Sequence, residues 1–283
     1  MRWQGHRQSR NVEDRRSGSA MGGRSLGIGS IVIAVVLGWV FGINPLTVLG
    51  IMQGVGPAVT QQAPVNSNET AAIPDKAGQF ASVVLADTED VWNQLFQNYQ
   101  EPRMVLYRTA TRTACGVGQA AMGPFYCPSD STVYIDLDFF NELKNRLGAP
   151  GEFAQAYVIA HEVGHHVQNL QGTLQKIHRL QGKVSQTEFN QLNVRLELQA
   201  DCYAGVWGHH AHRQRQILEK GDIEAAMNAA AKIGDDALQR SAGRVVRPES
   251  FTHGSSAQRQ RWFYKGLQSG DPRACDTFNA ASL

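Results

Sequence analysis

The stretch best equipped to do chemistry is His161-Glu162-Val163-Gly164-His165. On a helix, residues four apart point about 40° apart, so both imidazoles can face one ion. Glu162 projects about 100° from His161 and flanks that ion without being forced to bind it. A carboxylate beside a water activated by zinc is what a general base requires. The expected reaction is therefore attack of zinc-bound water on a carbonyl, with Glu162 moving the proton. The neighbours Ala156, Tyr157, Val158, Ile159, Ala160, Val163 and Val167 are apolar. They bury the helix, and two histidines with a glutamate are costly to bury without metal or hydrogen-bond partners.

Catalytic zinc usually has three protein ligands and one open position, so a third donor is needed. Glu197-Leu198-Gln199-Ala200-Asp201 sets two carboxylates four residues apart on one face of an otherwise apolar stretch. One carboxylate can bind the metal while the other accepts the remaining N–H of a ligating histidine, His161 being the natural choice. Other conspicuous residues have plainer readings. His166 lies about 140° from His161 and cannot share its metal. His209, His210 and His212 suit a solvated helix end, and Tyr157 and Tyr203 suit the core, with either tyrosine a conceivable partner for the scissile carbonyl.

HEVGHHVQ followed by ELQADCYAGVWGHH, the upstream CGVGQAAMGPFYCPSDSTVYIDLDFF and the opening MRWQGHRQSRNVEDRR closely resemble the bacterial putative neutral zinc metallopeptidase family of the YpfJ type. The likeness covers nearly the whole chain. The H-E-x-x-H plus E-x-x-x-D arrangement looks like that of gluzincins. It implies His161, His165 and Glu197 as ligands of Zn2+, Asp201 bracing a ligand from behind, and a gluzincin-like peptidase fold. Thr252-His253-Gly254-Ser255-Ser256-Ala257-Gln258-Arg259 is similar to the T-H-P-x-x-x-x-R stretch of membrane metallopeptidases that include the prenyl-protein CAAX proteases, with Gly254 replacing proline. That likeness implies that His253 or Arg259 hydrogen-bonds the oxyanion or the site carboxylates. The plainer alternative has Ser255 capping the last helix and Arg259 pairing on its surface.

The elements that must position these residues form an α+β pattern. Asp87 or Thr88 is expected to cap a helix running to about Tyr99. MVLYRT, a Gly-rich stretch through GPFYCP, and STVYIDLDF then read as short strands of a small antiparallel sheet. From residue 150 onward the spacing is helical, through PGEFAQAYVIAHEVGHHVQNLQG, TEFNQLNVRLELQADCYAGVWGHHAH, GDIEAAMNAAAKIGDDALQR and SSAQRQRWFYKGLQ. Four cysteines allow three pairings. Cys115 with Cys127 closes a short Gly-rich hairpin and leaves Cys202 with Cys275 as a long-range clasp, against the alternative of four buried thiols.

Ahead of this domain, residues 1–25 hold six arginines and little apolar material, and read as a solvated basic tail. Leu26 to Ile43 carries no charge, and eighteen residues at about 1.5 Å each nearly span a hydrocarbon layer of about 30 Å, so 26–49 is a transmembrane candidate. The next basic residue after it is Lys76, and this charge asymmetry predicts a single-pass inner-membrane protein with the tail in the cytoplasm. Residues 50–78 read as a flexible linker and 79–283 as the catalytic domain, on the extracytoplasmic side. A cleaved signal peptide is the competing reading. A net charge of +2 over 283 residues is too small to build a nucleic-acid-binding field. The expected activity is hydrolysis of polypeptides beside the cytoplasmic membrane. The alternatives are a zinc-stabilised scaffold and a zinc amide hydrolase acting on cell-wall material. An intact Glu162 favours catalysis, because a structural zinc site closes its fourth position.

Overall fold

The computed structural model describes residues 1–16, 73–119 and 123–283, which form a mostly helical α+β fold with a small sheet. Its first long helix, α1 (Lys76–Leu95), starts where the Asp75 carboxylate accepts a hydrogen bond from the Gly78 amide at 3.0 Å. It therefore begins within the stretch expected to be linker and stops short of Tyr99. Asp87 and Thr88 do not cap it. Both are buried mid-helix, because the preceding Phe80 to Ala86 run is itself a buried helical segment. The Thr88 hydroxyl bonds back to the Leu85 carbonyl at 2.6 Å, and Asp87 pairs with Arg215 at 2.6 Å.

Four strands form one sheet: β1 (Val12–Asp14), β2 (Arg103–Tyr107), β5 (Phe125–Cys127) and β6 (Thr132–Asp136), in the order β1-β2-β6-β5. The expectation of an antiparallel sheet is corrected here. β1 and β6 both run parallel to β2, and only β5 is antiparallel, to β6. Strands β3 (Ala110–Thr113) and β4 (Gly116–Gln119) make a separate antiparallel hairpin. Its tip is tied to β5 by the Cys115–Cys127 disulfide.

Strand β1 also corrects the reading of the N-terminus. Residues 1–16 are not a solvated tail but part of the fold, with Trp3 and Val12 buried in its core. Composition suggested otherwise because it counts arginines without their partners, and here the partners are carboxylates brought in from distant segments. The apolar span 26–49 lies outside the described residues. Among the described residues, no helix is long and apolar enough to cross a membrane.

The remaining helices build the larger, helical half: α2 (Asp138–Asn145), α3 (Glu152–Leu170), α4 (Thr173–His178), α5 (Gln186–Arg215), α6 (Asp222–Lys232), α7 (Asp235–Ser241) and α8 (Ser256–Ser269). The third helical stretch of the sequence is split at Ile233 and Gly234 into α6 and α7. Capping boxes open α5 at Ser185 and Glu188, and α8 at Ser255 and Gln258.

Helices α3 and α8 both pack on α5. The α5–α8 crossing is so close that a Cβ on Gly266 would collide with the Cys202 carbonyl oxygen. A Cβ on Gly164 would likewise stand 2.9 Å from the Ala200 carbonyl oxygen, so the glycine inside the His-Glu-Val-Gly-His run lets α5 approach α3 at the site. The Cys202–Cys275 disulfide fastens α5 to the C-terminal segment. Phe153 stacks on Trp207, and Tyr157 meets Phe263 edge-on, filling the space between these three helices.

Candidate metal centre and active site

Helix α3 presents His161 and His165 on one face, and α5 presents Glu197 opposite them. The Nε2 atoms of the two imidazoles lie 3.2 Å and 3.4 Å from the two Glu197 carboxylate oxygens. One donor atom from each residue falls within 4.8 Å of the others, and these three are the only such cluster among the described residues. Donors about 2.0–2.1 Å from a tetrahedral zinc stand about 3.3 Å from one another, so the spacing and the nitrogen and oxygen donor types fit zinc.

What lies behind these donors fixes which atoms they offer. His161 Nδ1 donates to Asp201 Oδ1 at 2.8 Å, and His165 Nδ1 donates to Gln168 Oε1 at 2.9 Å. Both rings thus turn Nε2 toward the shared point, the role expected of groups that hold metal-ligating histidines. Asp201 is fully buried and its oxygens are well supplied. Tyr157 donates its hydroxyl at 2.5 Å, and Arg259 donates from Nε and Nη2 at 2.8 and 2.9 Å. Arg259 is buried too, and its Nη1 donates to the Ile233 carbonyl at 3.2 Å. Gln168 is held by donating to the Leu196 carbonyl at 2.7 Å.

The protein groups divide charge among themselves accordingly. Burial opposes the charge on Asp201, but Arg259 and His161 beside it hold its carboxyl below the usual range. Burial likewise works against Glu197, yet the two imidazoles pull it well below its ordinary value. The His161 imidazole loses ground to burial and regains more from Asp201 and Glu197, ending at about 10. Glu162 moves the other way. Burial lifts its carboxyl above 4.5 despite the two imidazoles, and the nearby Glu197 adds to the rise. A carboxylate so placed has more affinity for a proton than a solvated one, as a general base must.

Glu162, both histidines and Glu197 open on a cleft of about 620 Å³. Its walls are mainly apolar, with Phe125, Phe139, Leu147, Leu174 and Leu238 among them. Strand β5, which forms one wall, is the edge of its sheet, so the edge beside the site belongs to Phe125–Cys127. His253 also lines the cleft, half-exposed, with its Nδ1 3.1 Å from Asp235 Oδ1. Asp235 further accepts from the backbone amides of Thr252, His253 and Gly254, which fixes this loop.

The other sequence candidates fall elsewhere. Arg259 is buried against Asp201, a carboxylate of the site, rather than pairing on the surface of α8 or facing an oxyanion, while Ser255 does cap α8. His166 is held by Tyr126 and the Gln100 carbonyl, away from the donors. His209 and His210 bond to the Leu267 and Gly270 carbonyls, pinning α5 to the end of α8 rather than forming a solvated end. Sequence reasoning missed Gln168 altogether. Its position three residues after His165 on the same helix was the available signal. Tyr157, read as core, is also a donor to Asp201, four residues before His161.

The family profile described as putative neutral zinc metallopeptidase matches residues 1–278. The chain is 53% identical over an alignment of 292 positions to the uncharacterized protein YpfJ of Escherichia coli strain K12, covering 98% of this chain and 99% of that one. It is 46% identical over 204 residues to the uncharacterized protein Rv2575 of Mycobacterium tuberculosis, covering 68% of each. No solved structure gives a significant match.

Proposed function

The chain belongs to the putative neutral zinc metallopeptidase family, and from that premise we propose that it is a zinc-dependent endopeptidase acting on extended polypeptides. The observation that carries the reading is the convergence of both Nε2 atoms on Glu197 with Glu162 beside them, at the floor of an open cleft. His161, His165 and Glu197 would hold the ion. Zinc, when bound there, supplies a Lewis acid that makes water nucleophilic near neutral pH and steadies negative charge on the scissile carbonyl oxygen.

The remaining work falls to the chain's own groups. Glu162 accepts the proton of the attacking water and returns it to the leaving amine. Asp201 and Gln168 keep the two rings from rotating, so Nε2 stays presented. His253, with Nδ1 held by Asp235, turns the rest of its ring to the cleft, where Nε2 donates to the developing oxyanion. The free edge of β5 offers backbone amides and carbonyls to a peptide laid along it, which favours a polypeptide over a compact substrate. The apolar walls exclude water and receive hydrophobic side chains. Attachment to a membrane is proposed on the sequence of residues 26–49 alone.

The test is hydrolysis of unfolded protein and of cell-wall fragments by the full chain, before and after chelation and zinc return, with Glu162→Gln alongside. Chelatable cleavage of protein that falls about 10²–10⁴-fold in the variant is expected. Equal rates for parent and variant would remove Glu162 from the reaction. Cleavage of cell-wall fragments alone would replace the substrate class.

A further inference from the structure

The N-terminal sixteen residues are bound to the catalytic domain along their whole length. The Met1 ammonium lies 2.8 Å from Glu219 and 3.2 Å from Asp222, next to α6. Trp3 is buried edge-on against Phe80 of α1, under the Lys76 ammonium. Ser9 exchanges two hydrogen bonds with Ser82, its amide donating to the Ser82 carbonyl and its carbonyl accepting from the Ser82 hydroxyl. Val12, Glu13 and Asp14 pair with Met104, Val105 and Leu106.

One side chain of the domain depends on this segment. Glu89 of α1 is 1% exposed, and its three hydrogen bonds come from Arg7, Ser9 and Asn11. A buried carboxylate stripped of all its donors is strongly destabilising, so α1 is built to be covered by these residues. The segment then ends where the domain begins, with Arg16 2.5 Å from Asp75, the cap of α1.

This placement bears on membrane topology. A single crossing by residues 26–49 would put Arg16 and Asp75 on opposite faces of a bilayer, where they cannot touch. Residues 50–72, GIMQGVGPAVTQQAPVNSNETAA, hold two prolines, several amides and Glu69, and offer no second apolar span to bring the chain back. The charge asymmetry that favoured a crossing also loses its force. Of the six arginines before the apolar run, Arg2, Arg7, Arg15 and Arg16 are engaged in ion pairs within the fold. The positive-inside rule concerns basic residues retained in a cytoplasmic flank, not ones consumed by a folded domain.

We infer that residues 1–16 are an integral strand segment of the catalytic domain and share its aqueous compartment, so that Arg16 and Asp75 stand on the same side of any bilayer the chain meets. Because both cysteine pairs are joined as disulfides, that compartment is the oxidising one.

The experiment places single added cysteines in the full chain in intact cells, Gln8→Cys in the N-terminal segment or Val245→Cys in the domain, both at exposed positions. Each is treated with a membrane-impermeant maleimide before and after permeabilisation. The two positions are expected to label alike in intact cells. Labelling of Val245→Cys in intact cells while Gln8→Cys labels only after permeabilisation, or the reverse, overturns the inference. A Ser9→Cys/Ser82→Cys variant with a protease site inserted between residues 55 and 60 gives a second reading. After a permeant thiol oxidant in cells, the cleaved fragments should stay joined until reduced. Fragments that part without reduction count against the shared compartment.

Discussion

Two buried carboxylates, Asp201 and Glu89, meet the same physical demand in opposite ways. Asp201 receives its donors from Tyr157, His161 and Arg259, on two helices packed directly against its own, and passes the order on to a cleft. Glu89 receives its donors from Arg7, Ser9 and Asn11, about eighty residues away in sequence, and is sealed beneath them. At the first carboxylate, buried polarity holds a reactive group in position. At the second it closes a seam between the ends of a long excursion of the chain. A buried charge network marks the active centre only when one of its members also faces open space.

The contrast is sharpest in Arg259→Met. Removing one partner of a buried ion pair costs about 3–5 kcal/mol of stability. Because Asp201 orients His161, zinc affinity should also fall, by about 10–100-fold. Thermal unfolding and competition with a chelator measure the two. Trp3→Ala should cost a comparable 3–5 kcal/mol at the seam while leaving zinc affinity at the parent value, by the same two measurements. A loss of zinc affinity in that variant would mean the two regions are coupled.

The smallest effect concerns pH. Burial opposes the charge on the Met1 amine, but Glu219 and Asp222 outweigh it and raise its pKa above the usual 8.0. A group raised on folding contributes fully below its unfolded value and loses that contribution as pH climbs through the folded one. Acetylating the N-terminus should therefore lower Tm at pH 7, and the gap to the unmodified chain should close in alkaline solution. A gap that widens with pH would mean that the Met1 amine is not stabilised in its charged form by Glu219 and Asp222.

How much of this was legible depended on range along the chain. The His161, Glu162 and His165 spacing is a property of one helical turn, so sequence shows it directly. Glu197 and Asp201 are likewise one turn apart, and their apolar neighbours signalled burial. That α5 meets α3 at the right height depends on the contact of Gly164 with Ala200, which no periodicity encodes. Asp87 and Thr88 looked like caps because their side chains suit that role, yet Arg215 from another helix made mid-helix burial of Asp87 tolerable. Strand β1 was invisible for a related reason. VEDRR carries little β signal, and pairing with β2 supplies what propensity does not.

Zinc content of the purified full chain, set against Glu197→Ala with folding checked by circular dichroism, tests the ligand set most directly. One zinc per parent chain is expected, with a folded variant from which dilute chelator strips the metal. Zinc held as firmly by the variant as by the parent would contradict the assignment of His161, His165 and Glu197 as its ligands.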